Sequence, residues 1–187
     1  MIELKEKINK NKETFLEKNE LYGILNKELL EYLGEDLLTA PASTMKSLHN
    51  AFPGGLIDHI LKTTKYAIGL NKLLPDTISV DTQSIVKVRF LHQIGKTFLY
   101  KWCESEWHRN NQGKMYDFNE ELTSMRVGER SVYYSMKYGI SLTEEEYQAI
   151  VNYDKSEDDK QSKWYSSTLS TILKQANELA IIEEKNI

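Results

Sequence analysis

Apolar residues recur at spacings of three and four along most of this chain, and that period admits little except packed helices. Between Glu20 and Leu33 they fall at Leu21, Ile24, Leu25, Leu29, Leu30 and Leu33, one face of an amphipathic helix that Gly34 is expected to stop. Residues 3–17 carry a weaker set, Ile2, Leu4, Ile8, Phe15 and Leu16, on a helix whose charges form a solvated face. Further helices are expected from Leu56 to Leu74, with Pro75 closing that region, and from Asp81 or Thr82 through Ile85, Val88, Leu91 and Phe98. A short helix follows over 128–138. Thr143 and Glu146 then form a capping box for the next one. The final helix is placed over Ser162–Glu184. No segment alternates like a strand. Residues 38–55, with two prolines and two glycines, read as a long loop, residues 103–126 as an irregular excursion, and Asp154–Lys160 as a charged loop. The expectation is an all-α bundle over residues 38–187 with an extra N-terminal helical hairpin, residues 1–37.

With 187 residues, 40% apolar and 28% charged, the chain has material for one real core. Eleven Tyr, three Trp and five Phe argue against disorder throughout. A net charge of −4 disfavours general electrostatic attraction to nucleic acid but leaves a local basic groove open. The single cysteine, Cys103, excludes an intrachain disulfide framework and a Cys-based zinc site. The N-terminal segment is charged and lacks the apolar core of a signal peptide, and no apolar run reaches membrane-spanning length. A cytoplasmic location with no membrane partner is the expectation.

Three of the four histidines lie where chemistry could sit. His49 is in the long Pro/Gly loop and His59 one turn into the helix after it. His92 is expected mid-helix on the apolar side, followed by Gln93, Ile94, Gly95 and Lys96. A glycine three residues after a helical histidine predicts close approach by a neighbouring element. Lys96, one turn from His92, can point at the same cleft. The remaining candidates read as surface or core: Glu104, Glu106, Trp107 and His108 as a polar loop cluster, Trp164 and Tyr165 as core or interface, and Cys103 as a thiol without a base. Lys87, Arg89, Lys96, Lys101, Arg109, Arg126 and Arg130 form a basic set in the middle third that could meet a phosphate.

Four ordered segments carry a family likeness: APASTMKSLHNAFPGGLIDHIL from Ala40, FLHQIGK from Phe90, VGERSVYYSMKYGISLTEEEYQAI from Val127 and LSTILKQANELA from Leu169. Together they resemble HD-domain phosphohydrolases of the phage and Firmicute type, across about three quarters of the chain. The resemblance implies an HD-like helical bundle. It places the family's first metal histidine on His59, its His-Asp doublet on His92 and Gln93, and its last metal aspartate on Asn177. An accessory histidine falls on His49 and the family's lysine on Lys96. Two further family histidines fall on Val127 and near Tyr153.

The departures carry the functional expectation. Both acidic ligands are amides here, leaving two imidazoles and two neutral carbonyls for a cation that prefers carboxylates. One unit-charge interaction at a few ångströms is worth roughly 4 kcal/mol at an effective dielectric near 20, before desolvation. Two such losses remove the means to hold a metal that activates water or polarises a phosphoryl group. Asp58 and Asp154 are poor replacements: Asp58 points about 100° from His59 on an ideal helix, and Asp154 lies in the charged stretch.

The leading expectation is a degenerate, non-catalytic HD protein. It binds a phosphate-containing ligand such as a nucleotide, or a protein partner, with a cleft of His49, His59, His92, Gln93, Lys96 and Asn177. No cofactor is expected. One alternative is an active phosphohydrolase on nucleotides or nucleic acid. A divalent metal would then sit on His59 and His92, with His49, and Lys96 would be the candidate catalytic group. The other is an interaction protein that self-associates through the N-terminal helices, whose apolar faces need cover. The phage-type likeness implies a viral or prophage origin and a host-cytoplasm location.

Overall fold

The computed structural model describes residues 2–153 and 166–185. Among the described residues seven α-helices make up the body: α1 (Ile2–Tyr22), α2 (Lys27–Thr39), α3 (Gly55–Asn71), α4 (Thr82–Leu91), α5 (Val127–Lys137), α6 (Glu144–Asn152) and α7 (Thr168–Lys185). The protein is an all-α bundle, as the apolar period requires. Helix α3 is central: it packs on α7 most extensively, and also on α1, α2 and α4. Helices α5 and α6 close the other side, α6 against α7. No helix among the described residues is long and apolar enough to cross a membrane.

The capping signals act as the sequence indicates. Asp81 accepts a hydrogen bond from the Ser84 amide at 2.8 Å and starts α4. At α6 the Glu146 amide donates to Thr143 Oγ1 at 3.2 Å, and the Thr143 amide donates to Glu146 Oε2 at 2.9 Å.

The first boundary differs from expectation. Helix α1 runs on to Tyr22, so Leu21 is 76% exposed at its end, whereas Ile24 and Leu25 lie buried in the turn that follows. Asn19 is the cause. Its side chain donates to Leu25 O at 2.9 Å and accepts from the Leu25 amide at 2.7 Å, folding the turn inward. Asn26 then caps α2. Gly34 does not stop α2 but kinks it, at φ 49° and ψ −143°, and the helix resumes to Thr39. Phe15 stacks on Phe90 of α4 with ring centroids 4.6 Å apart, and Leu29, Leu33 and Leu37 are fully buried in the one core. Each such side chain contributes roughly 1.5–3 kcal/mol by leaving water. These faces of α1 and α2 are thus covered within the chain.

Two further departures bear on the site. Residues 100–118, expected as helix end and loop, hold a small antiparallel hairpin, β1 (Tyr100–Trp102) with β2 (Tyr116–Phe118), Tyr100 opposite Phe118. Three residues per strand are too few for alternation to register in a sequence. An isolated bridge, Met45 with Lys114, ties the long loop 40–54 to this hairpin. Helix α4 also ends earlier than expected, at Leu91, leaving Phe98 beyond it. The charged loop 154–160, the start of the last predicted helix, Asp154, Trp164 and Tyr165 lie outside the described residues.

Candidate functional site

Where α4 ends, its chain is captured from the side. His92 is not mid-helix; it is the last residue of α4 to bond in helical register, its amide donating to Val88 O at 2.9 Å. A single 3-10 turn over Ile94–Lys96 follows. The hydroxyl of Ser131 on α5 accepts from the Gly95 amide at 2.9 Å and donates to His92 O at 3.1 Å, replacing the bonds the helix gives up. Gly95 is the close approach its position predicted: a Cβ there would stand 2.4 Å from Val127 O. The turn delivers His92, Gln93 and Lys96 into the interior, all buried.

His59 on α3 and Asn177 on α7 meet this turn. His59 Nε2 lies 2.9 Å from Asn177 Oδ1, and Gln93 Nε2 donates to the same oxygen at 3.2 Å. The two amides that stand where acids were expected are therefore bonded to one another. His49 comes from the loop, its ring centroid 4.9 Å from that of His59. Lys96 Nζ donates to Ala42 O of the same loop at 2.7 Å. The structure thus brings His49, His59, His92, Gln93, Lys96 and Asn177 to one centre. His92 Nδ1 lies 2.7 Å from Arg89 O and must donate to it, so Nε2 carries a lone pair, buried and without a partner. Its ring meets Tyr153 edge-on at 5.0 Å, where the resemblance had placed a histidine.

Glu184 of α7 completes the group, and no motif in the sequence marks it as a site residue. Its Oε2 lies 2.8 Å from His59 Nδ1, and its side chain is fully buried. The spacing of seven from Asn177, two turns along one helix face, is the signal that could have found it. Burial, with Lys96 adding to it, holds His59 down to about 3, and burial with His59 and Lys96 does the same to His49. Burial pushes Glu184 up to about 7 against the pull of Lys62 and His49. The bonding follows. Asn177 Oδ1 is an acceptor, so His59 Nε2 carries the ring proton. Nδ1 then presents a lone pair, which the protonated Glu184 carboxyl satisfies.

Of the basic set, Arg89 and Lys96 are buried at this centre. Arg89 Nη1 donates to Leu173 O at 2.8 Å, while its Nε and Nη2 have no hydrogen-bond partner. Burial, partly offset by Tyr153, lowers it to about 9. Others are engaged elsewhere: Lys87 pairs with Glu146 at 2.6 Å, Lys101 with Glu121 at 2.9 Å, Arg130 Nη2 bonds to Thr123 O, and Arg109 lies over the Trp102 ring at 5.2 Å. Asp58 faces away from His59, accepting from Asn11 at 2.8 Å and Asn50 at 2.9 Å and pairing with Lys7 at 3.0 Å. Trp107 is exposed, and Cys103 is a buried free thiol.

The donor set does not fit the hard divalent cation that the resemblance implies. Asn177 Oδ1 is already taken by two donors, His59 Nε2 carries a proton, and no carboxylate stands at either position. No protein-family model matches the chain, and no curated protein and no solved structure matches it.

Proposed function

We propose that the protein is a non-catalytic relative of the HD-domain phosphohydrolases that binds a phosphate-containing ligand, of which a nucleotide is the simplest, without hydrolysing it. One observation carries the reading. His59 Nε2 and the Gln93 amide both donate to Asn177 Oδ1 where a hydrolase needs open acidic ligands, while Arg89 and Lys96 stay buried. The imidazoles are neutral, so the positive charge offered to an anion comes from Arg89 and Lys96. The guanidinium of Arg89 retains two buried donor nitrogens, Nε and Nη2, with no acceptor, each an unmet need worth roughly 1–3 kcal/mol. An anion at this centre answers that need; a bare dication does not.

The test is a thermal-shift and calorimetric screen of the protein against inorganic phosphate and a nucleotide panel, with phosphatase and nucleotidase assays run with and without Mn²⁺. Saturable binding that weakens at least tenfold in Lys96→Met, without turnover, is the expected result. Binding of no phosphate compound, or Mn²⁺-dependent turnover, refutes the proposal. Turnover would favour the alternative of an active phosphohydrolase with a rebuilt metal site.

A further inference from the structure

Three side chains beside the inherited centre form a second, differently built donor set. His49, His59 and Glu184 each offer one ligand atom, and the three atoms lie within 4.8 Å of one another. They come from the 40–54 loop, from α3 and from the far end of α7. Two imidazoles and one carboxylate suit a borderline-soft divalent ion such as Zn²⁺. His49 Nε2 and Glu184 Oε1 are both buried and hydrogen-bonded to nothing, and the charged neighbour of that oxygen is the Lys62 ammonium at 3.8 Å.

We propose that His49, His59 and Glu184 bind a Zn²⁺-class cation at a site displaced from the one the His59–His92–Gln93–Asn177 set would have held. The deciding geometry is at His59. Nε2 is the atom that faces the Gln93–Asn177 side, and it donates its proton to Asn177. The opposite nitrogen, Nδ1, faces Glu184 at 2.8 Å. When the ion enters, the Glu184 proton leaves to solvent, and Nδ1 and the carboxylate become free to ligate. The bond from His59 Nε2 to Asn177 then becomes the outer contact that fixes the ring and raises its basicity. Gln93, which also bonds to Asn177 Oδ1, holds that amide in place. The residues that replaced the acidic ligands thereby become supports for a neighbouring centre. Three protein donors leave at least one position for water or a ligand oxygen. Lys62 and Lys96 oppose the cation's charge, so a single carboxylate has to carry the electrostatic attraction.

The experiment titrates Zn²⁺ into chelator-treated full-length protein in competition with a chromophoric indicator. Binding of one equivalent is expected. Glu184→Gln keeps the size and can still donate to His59 Nδ1. It should weaken binding more than the roughly 10–100-fold that loss of an outer partner costs, and Asn177→Ala should fall within that range. His49→Gln, at a half-buried position, tests the same site with little risk to the fold. Absence of Zn²⁺ binding, or affinity unchanged from the parent in Glu184→Gln and His49→Gln, overturns the proposal. So does an ion lost in His92→Ala but kept in Glu184→Gln, which would place it in the inherited centre. Phosphate binding measured in excess chelator is a separate readout, so failure here leaves the non-catalytic reading to be judged on its own.

Discussion

Replacing Ser131 with alanine removes one oxygen atom, and the structure says where the cost falls. Ser131 is fully buried. Its hydroxyl accepts from the Gly95 amide and donates to His92 O, so the variant strands one buried donor and one buried acceptor. Each group left unsatisfied costs roughly 1–3 kcal/mol, giving about 3 kcal/mol for the pair. With a urea dependence near 2 kcal/mol per molar, the unfolding midpoint should fall by about 1.5 M at unchanged slope. Ser135, buried one turn further along α5, is the control. Its hydroxyl donates to Ser131 O at 2.9 Å, an oxygen within the same helix, so Ser135→Ala strands no partner from another element. It should cost no more than about 1 kcal/mol. Urea unfolding followed by tryptophan fluorescence measures both. A Ser131→Ala midpoint within about 0.3 M of the parent, or equal to that of Ser135→Ala, would refute the claim that this hydroxyl ends α4 and sets the His92–Lys96 turn.

Gly95→Ala brings a Cβ within 2.4 Å of Val127 O and should cost at least about 2 kcal/mol, whereas Gly69→Ala on α3 meets nothing within 4 Å and should be neutral or stabilising. Thermal unfolding distinguishes them, and a tolerated Gly95→Ala would mean α5 does not press on the turn. The double variant Gln93→Asp, Asn177→Asp introduces two carboxylates, each worth roughly 4 kcal/mol of attraction before desolvation. It should gain Mn²⁺ binding by calorimetry, and a folded double variant that binds none would count against the HD-like metal geometry that the resemblance implies. The pH dependence has a definite sign. His49 and His59, held to about 3, and His92, held well below its usual range, are neutral when folded and take up protons on unfolding below about pH 6.5. Glu184, pushed up to about 7, is protonated when folded and releases a proton on unfolding above about pH 4.5. Three groups outweigh one, so the urea midpoint should climb from pH 5 to 6.5, and more steeply in Glu184→Gln. A flat or falling midpoint would refute this balance.

Much of this architecture is visible in local signals. The apolar period marks the helices, Asp81 and the Thr143–Glu146 pair mark two of their starts, and Gly95 marks a contact. What escapes a linear reading is decided by residues far along the chain or by single side-chain bonds. The α1–α2 turn depends on Asn19 reaching six residues ahead to Leu25. The end of α4 depends on Ser131, 39 residues beyond His92. Glu184 is the plainest case. It sits in an Ile-Glu-Glu-Lys stretch where its neighbour Glu183 takes the ordinary surface role, accepting from Tyr66 at 2.6 Å and pairing with Lys62 at 3.4 Å. Composition cannot tell the two apart; only the register of α7 on α3 does.

The centre also dictates an order of assembly. The bond between His59 and Glu184 closes a span of 125 residues, and that between His59 and Asn177 a span of 118. Contacts so distant in sequence form only after the entropy of closing a long loop has been met, and they slow folding accordingly. During synthesis, α7 leaves the ribosome after the other described helices. Until it docks, His59 lacks both of its side-chain partners and remains free to take a proton. The nascent chain can pack α1 to α4 against one another while the centre does not yet exist. Whatever this centre binds, it can bind only to a chain whose α7 is in place.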